Sequence, residues 1–329
     1  MLVFSFLVKR LFQSFLVLLS VAFIAFALFK FVGDPISNMV GQDTTLAERE
    51  KLAERLGLND PFPVQFFNFI KGAAVGDFGL SYRHKVPVSQ LIAERAPATL
   101  ELAIISALLS VFVGIPMGVY TAIRRKGLLS RSFMTVSLVG ISLPTFLIGI
   151  LFIFLFGVIL RWLPTFGRGE VVQIGFWTTG LLTWSGIKSL ILPSVTLALF
   201  QMTLIMRLVR TEMLEVLTTD YIKFARARGL KENAVNFGHA LKNTLIPVIT
   251  IIGLQLGLVM AFAIITETVF QWPGMGMLFI QAIEEVDVPV MAAYLMMISL
   301  VFVAINLAVD ILYAFVDPRL TIDGGSKHG

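Results

Sequence analysis

Two groups of side chains in this 329-residue chain have types and positions that chemistry could use. The first group is charged and stands at the borders of apolar runs: Lys30, Glu101, Arg207, Arg210, Glu267 and Asp310. Charge inside hydrocarbon is costly, so each is a functional candidate unless snorkelling or a headgroup contact accounts for it. Glu267 is the foremost translocation-pathway candidate among them. The polar Gln201 and Gln255 lie inside apolar runs, where a wet path and helix–helix hydrogen bonding explain them equally well. Covalent and metal chemistry find no footing. There is no cysteine, which excludes disulfides, Cys-ligated zinc and thiol catalysis. His84, His239 and His328 lie far apart and show no ligand spacing. No G-x-x-x-x-G-K-[ST] phosphate loop is present, nor any flavin or nicotinamide fingerprint. No catalytic residue, metal site or cofactor is therefore expected.

The second group lies in Thr218–Pro247, TTDYIKFARARGLKENAVNFGHALKNTLIP, a basic, helix-forming loop between two long apolar runs. Asp220 is positioned to cap a helix. Tyr221, Phe224 and Ala225 fall at i, i+3 and i+4 on one face, and Lys223 and Arg226 point elsewhere. Gly229 supplies the left-handed residue that ends it. A helix of about two turns is unstable alone in water, so it must pack on something. Two readings stay open: a surface helix drawn to lipid headgroups by its cations, or a plug for a groove on a cytoplasmic partner.

The elements that position these residues are membrane spans. The chain is 57% hydrophobic and 14% charged, with mean hydropathy +0.87, where soluble domains carry about 25% charged residues. A net charge of +5 fits topology and lipid headgroups rather than nucleic acid. Six uncharged runs, 11–29, 102–123, 132–160, 189–206, 243–266 and 288–309, are each long enough to cross about 30 Å of hydrocarbon as a helix. In lipid a helix satisfies its own backbone, so the fold class is all-α integral membrane with six transmembrane helices. The spans are placed at about 11–30, 101–123, 132–160, 189–208, 243–267 and 288–310 of a single domain, 1–329. The first run follows Lys9 and Arg10, is too long for a signal core and lacks a small-residue cleavage site, so it is expected to stay as an anchor.

Loop charge sets the orientation. Residues 124–131, RRKGLLSR, hold four cations and no acid, whereas 270–287 holds Glu284, Glu285 and Asp287 and no cation. The positive-inside rule then places both termini, 124–131 and the loop 211–242 on the cytoplasmic side. Residues 33–98 become an extracytoplasmic helical insertion. In it Thr45 and Glu48 have capping-box spacing ahead of a helix ending at Gly57, and VQFFNFIKGAAV reads as a second, more apolar helix at the interface. Pro97 is read as the start of the second span's helix, and Pro116 and Pro144 as kinks. The outer loop 161–188 carries Trp162, Trp177 and Trp184 as interfacial aromatics.

DYIKFARARGL followed by HALKNTLIPV resembles the coupling loop of ABC-importer permeases of the dipeptide/oligopeptide (peptide/nickel/glutathione) class. GDP at 33–35, GDFGLSY, the PV at 87–88, IAERAPATLELA and ETVFQWPGMGML resemble the same class, so the likeness covers nearly the whole chain. The general signature of such loops reads Glu-Ala-Ala, three residues, then Gly. Aligned on Gly229, only Ala225 keeps it, with Lys223 and Phe224 at the other two positions, and peptide-class permeases resemble this divergent form.

The resemblance implies a B-type permease subunit of an ATP-driven importer. Its implied partners are a homologous second permease subunit forming the other half of the pore, two ABC ATPase subunits and an extracytoplasmic substrate-binding protein. It implies docking on the ATPases by Tyr221, Phe224, Ala225 and Gly229, with charge contacts from Arg226 and Arg228, and no enzyme activity in this chain. The competing class is an ion-coupled secondary transporter or channel working without an ATPase. That class calls for carboxylates or histidines in mid-span, and the six runs contain none.

Overall fold

A computed structural model describes residues 2–30, 45–55 and 59–316. The Gly57 stop, the Gly-Asp-Pro at 33–35 and the C-terminal segment from 317 lie outside the described residues. The elements are α1 (Leu2–Lys30), α2 (Leu46–Arg55), α3 (Phe62–Ala74), α4 (Val88–Ile123), α5 (Leu128–Ser142), α6 (Thr145–Phe152), β1 (Val172–Ile174), β2 (Trp177–Thr179), α7 (Trp184–Val216), α8 (Asp220–Ala227), α9 (Leu241–Val269), α10 (Met275–Glu284) and α11 (Val288–Val316). Two π-helical segments, Ile153–Ile159 and Ala234–Ala240, continue α6 and precede α9. By length and composition, four helices can cross a membrane singly: Arg10–Ala27 of α1, α4, α7 and Val288–Val309 of α11. Counting the bent pair α5–α6 and the two halves of α9 as one span each brings that number to six.

Proline explains where helices break and where they do not. Pro144 adopts φ −57°, ψ 140° and separates α5 from α6, so the run 132–160 is two helices rather than one kinked one. The residue before a proline is pushed out of the helical region, and Leu143 lies outside both helices. Pro97, in contrast, lies inside α4, which begins nine residues earlier at Val88 behind Pro87. The reading of Pro97 as a helix start is corrected accordingly. The first turn was already available after Pro87, whose missing N–H costs nothing there. Pro97 is itself buried, and a helix in lipid accommodates an interior proline. At 36 residues, α4 is about 54 Å long and reaches well past the hydrocarbon slab.

The core is built on α4 and α7. They run parallel, because Ala98 and Leu102 cluster with Leu190 near their starts and Val119 with Val209 near their ends. Gly114 and Gly118 let the two backbones approach: a Cβ on Gly118 would stand 2.6 Å from Val209 Cβ and 2.8 Å from the Met206 carbonyl oxygen. This is the small-x-x-x-small packing of helices that have no hydrophobic drive between them in lipid. α9 runs antiparallel to both, with Val248 in the cluster at one end and Ala263 in the cluster at the other. Met291, with Met275, packs in a third cluster under α10 and α11.

The loop after the first π-helical segment is more ordered than its sequence suggests. Strands β1 and β2 form an antiparallel hairpin in the register Val172–Thr179, Gln173–Thr178, Ile174–Trp177. In the segment before α3, Thr45 and Glu48 make the expected reciprocal cap, with Thr45 N donating to Glu48 Oε2 at 3.1 Å and Glu48 N donating to Thr45 Oγ1 at 3.4 Å. Thr45 Oγ1, donating to Glu48 Oε2 at 2.9 Å, and then Thr45 N hold the Glu48 carboxyl below its ordinary value.

Candidate coupling surface and the buried carboxylates at the opposite end

α8 is short because a left-handed glycine ends it two turns after it begins. The N-cap is Thr219, whose hydroxyl donates to the Val216 carbonyl at 2.7 Å and so caps nothing. Asp220 opens the helix instead of capping it, and its carboxylate accepts from Lys223 Nζ at 2.8 Å. A carboxylate in the first turn still suits the positive end of the helix dipole. At the other end Gly229 takes φ +80°. Its N–H donates to Arg226 O at 2.9 Å, and Leu230 N donates to Ala225 O at 3.4 Å, the paired bonds of a glycine-terminated helix.

The faces of α8 divide differently from the reading of Tyr221, Phe224 and Ala225 as one face. Ile222 and Ala225 point inward, into a cluster with Val119 of α4, Val209 and Met213 of α7, and Val235, Ala240 and Val248. Tyr221 and Phe224 point outward and are 46% and 64% exposed. Tyr221 Oη lies 2.8 Å from His239 Nδ1 on the second π-helical segment, the two rings meeting edge-on at 5.8 Å. Arg228 stands with its guanidinium carbon 5.9 Å from the Phe224 ring centre, and Arg226 Nε donates to Glu232 at 2.9 Å. A rigidly rooted helix thus presents two unburied aromatic rings among cations.

The other candidates lie deeper. Gln201 is buried on α7 and its amide Nε2 donates to the Gln255 carbonyl of α9 at 3.3 Å. The Oε1 atoms of Gln201 and Gln255 are both buried without a hydrogen-bond partner. Glu267 is fully buried near the end of α9. Its carboxylate accepts from Thr99 Oγ1 at 2.6 Å and from Met277 N at 3.0 Å, in the first turn of α10. Thr99 Oγ1 in turn accepts from Met275 N at 2.7 Å, and Trp272 Nε1 donates to Ala98 O at 2.9 Å. Glu267 therefore fastens the Gln271–Gly274 turn and the N-terminus of α10 to α4, with its carboxyl set against a helix N-terminus.

Just beyond Thr99 on α4, buried Glu101 holds the β-hairpin. It pairs with Arg168, whose Nη2 lies 2.5 Å and Nε 3.1 Å from Glu101 Oε2. Glu101 Oε1 accepts from Thr179 Oγ1 at 2.7 Å and Gly180 N at 3.1 Å, and Arg168 also donates to Thr178 O at 2.7 Å. Snorkelling, the expectation for border charges, does not describe Glu101: it is buried and ion-paired. A third carboxylate, Asp287, accepts from Ser81 Oγ, Tyr82 N (3.1 Å) and Arg83 N (3.2 Å), closing the Gly-rich turn of 76–82 onto the start of α11. Desolvation first, then the Asp287 charge, pushes the Tyr82 phenol up to about 12.

With this geometry the chain can be compared with known proteins. Residues 114–322 match the family described as binding-protein-dependent transport system inner membrane component, and residues 3–103 match the N-terminal part of such membrane components. The chain belongs to this family. It is 36% identical to the dipeptide transport system permease protein DppB of Alkalihalophilus pseudofirmus, over 96% of this chain and 99% of that one. It is 38% identical to the oligopeptide transport system permease protein AppB of Bacillus subtilis, over 96% and 99% respectively. To the Escherichia coli DppB it is 34% identical, over 96% and 98%. Its fold is shared with a chain of the MetNI methionine ABC transporter solved in inward-facing conformations: TM-score 0.55, 19% identity, covering 69% of this chain and 96% of that one. This permease is thus a multi-pass component of a bacterial membrane transport system and not itself an enzyme.

Some residues that build the permease's two polar ends escape sequence reasoning. Ile222 escapes it because in a two-turn helix several sets of apolar positions have helical spacing. Thr99, Arg168 and Thr179 carry no local signal; their partners lie 67 to 168 positions away. Arg168 alone offers a hint, as a cation within the 161–188 loop, which is otherwise rich in aromatic and small residues.

Proposed function

We propose that this chain is the permease subunit of an ATP-driven importer of di- or oligopeptides or related small solutes. It crosses the membrane six times, keeps both termini in the cytoplasm and carries residues 33–98 outside. It forms half of a pore with a homologous second permease, receives solute from an extracytoplasmic binding protein and couples to two ABC ATPase subunits through 211–242. The peptide assignment is supported by relatives named for dipeptide and oligopeptide transport that match nearly the full length. The parallel course of α4 and α7, with α9 antiparallel, supports the alternation of crossings: α4 and α7 start on one side and α9 returns to it.

One observation carries the coupling assignment. α8 buries Ile222 and Ala225 among side chains of α4, α7 and α9, while Tyr221 and Phe224 face outward. A partner that grips those rings would move a helix already welded to three long helices, so closure of the ATPases becomes rigid-body motion of the spans. Gly229 ends the helix, and Arg226 and Arg228 surround the rings with charge. Gln201 and Gln255, with unbonded oxygens between α7 and α9, are the proposed polar lining of the pathway. Glu267 serves it by holding the 271–274 turn at its mouth.

The test is co-purification of candidate ATPase subunits with membrane-inserted wild type and with the Phe224→Asp, Gly229→Pro double variant. Wild type should retain the ATPases and the variant should lose them at unchanged membrane insertion, because proline cannot adopt φ +80° and a carboxylate opposes an apolar groove. Uptake by the chain without any ATPase would instead establish the ion-coupled alternative.

A further inference from the structure

α3 is an apolar helix that the transport function leaves unexplained. It buries none of its residues, yet it is tied to α1 by rings. Phe26 lies 5.4, 5.7 and 5.3 Å, centre to centre, from Phe62, Phe66 and Phe69, and Phe23 lies 5.8 and 5.4 Å from Phe62 and Phe66. These contacts span two turns of α3 but a single turn of α1. Two helices packed lengthwise would share contacts along both. One turn against two means that α3 crosses α1 steeply.

The crossing point has a defined depth. The uncharged stretch of α1 runs from residue 11 to residue 29, between Arg10 and Lys30, or about 28 Å as a helix. Phe23 and Phe26 lie in its last two turns, so α3 crosses α1 near the hydrocarbon boundary opposite Arg10. A helix that crosses a span there lies along the membrane plane.

The remaining surface of α3 is divided to suit that boundary. At 3.6 residues per turn, the ring face of Phe62, Phe66 and Phe69 has a flank on each side. One flank is Pro63, Phe67, Ile70 and Ala74, all apolar, with Phe67 68% exposed. The other carries the polar Gln65 and Asn68, with Val64, 45% exposed, between Asn68 and Lys71. Lys71 is exposed opposite the rings, where its flexible stem can reach the headgroup phosphates. A soluble surface would not leave Phe67 bare beside Ile70 and Ala74, whereas the acyl–headgroup boundary accepts that pattern.

We propose that α3 is an in-plane membrane anchor: its Phe67 flank dips into the acyl chains, its Asn68 flank faces water, and Lys71 meets lipid phosphate. This holds the polar segment between α1 and α4 at a set height above the bilayer, independently of which solute is carried.

The absence of native cysteine makes the test clean. Phe67→Cys and Asn68→Cys are each spin-labelled in the full chain, co-expressed with its partner subunits and reconstituted into phosphatidylethanolamine–phosphatidylglycerol vesicles. Collision with oxygen, which concentrates in the acyl region, is compared with collision with a water-soluble nickel chelate. The label at 67 should favour oxygen and the label at 68 the chelate, so the accessibility ratio inverts between adjacent residues. Preference for the chelate at both positions would overturn the proposal in favour of a solvent-exposed helix. Shielding of position 67 from both reagents would overturn it in favour of a protein partner covering the flank. Ala74→Cys, two turns along the same flank, gives the same reading if Phe67→Cys fails to accumulate.

Discussion

Replacing Arg168 by methionine should release the β-hairpin without unfolding the permease. Arg168 and Glu101 are 7% and 2% exposed, so neither charge is shared with water. Glu101 accepts four hydrogen bonds, two from Arg168, one from Thr179 Oγ1 and one from Gly180 N. Methionine keeps the apolar stem but removes the guanidinium, whose carbon also stands 5.9 Å from the Trp272 ring centre, and leaves the carboxylate with two neutral donors and no counter-charge. Removing one partner of a buried pair costs roughly 3–5 kcal/mol, because the survivor's desolvation is no longer offset. The pair joins Thr178–Gly180 to α4, so the cost falls on local opening of the hairpin and raises its probability by about 10² to 10³-fold or more. Amide hydrogen exchange of residues 172–180 in detergent-purified protein should accelerate by that factor, with α4 and α7 little changed. Adding Glu101→Leu should recover most of the protection, since two apolar groups replace a broken pair. Unchanged exchange in Arg168→Met, or a double variant as labile as the single one, would refute the account of this pair as the hairpin's anchor.

Two further outcomes follow from single distances. Gly118→Leu should lower the melting temperature or prevent accumulation, since even its Cβ would meet Val209 and the Met206 carbonyl within 2.8 Å; overpacking costs about 1–3 kcal/mol or more. Gly238→Ala, with nothing within 4 Å, is the matched control, and equal stability of the two variants would contradict the close approach of α4 and α7. Tyr82 should ionise near pH 12 rather than near 10, in the ultraviolet difference between wild type and Tyr82→Phe. Its folded pKa is raised, so the stability from burying the neutral phenol is complete below pH 10 and lost as pH climbs through about 12. A difference titration centred on 10 would show that the turn at 81–83 does not enclose it.

Much of the candidate surface was legible because its signals are local. Gly229 announced a left-handed residue, and the hydrogen bonds of Arg226 and Ala225 carbonyls around it are the consequence. Thr45 and Glu48 announced a reciprocal cap three residues apart and make one. The phase of α8 was not legible. Tyr221, Phe224 and Ala225 and the pair Ile222 and Ala225 both have helical spacing, and only contact with Val209, Met213 and Val248 decides which set turns inward. Asp220 opens the helix instead of capping it, and the N-cap, Thr219, turns its hydroxyl to the Val216 carbonyl of the preceding helix, a contact that spacing within α8 does not reveal. Pro97 shows the same limit, as a residue that breaks helices in isolation sits buried within one.

By itself the sequence determined the apolar runs, their length against a bilayer, the lack of cysteine and of a phosphate-loop motif, and the glycine that ends α8. Each depends on residues within a turn or two of each other, or on composition summed over one span. Only the tertiary structure decided that Glu101 belongs to Arg168, Glu267 to Thr99 and α10, and Asp287 to the turn at 81–83. In a membrane protein most side chains within a span are interchangeably apolar, so the pattern that specifies a span says little about its neighbours. Partner choice then rests on a few buried polar groups and close-packed glycines, and those meet only after the helices have assembled.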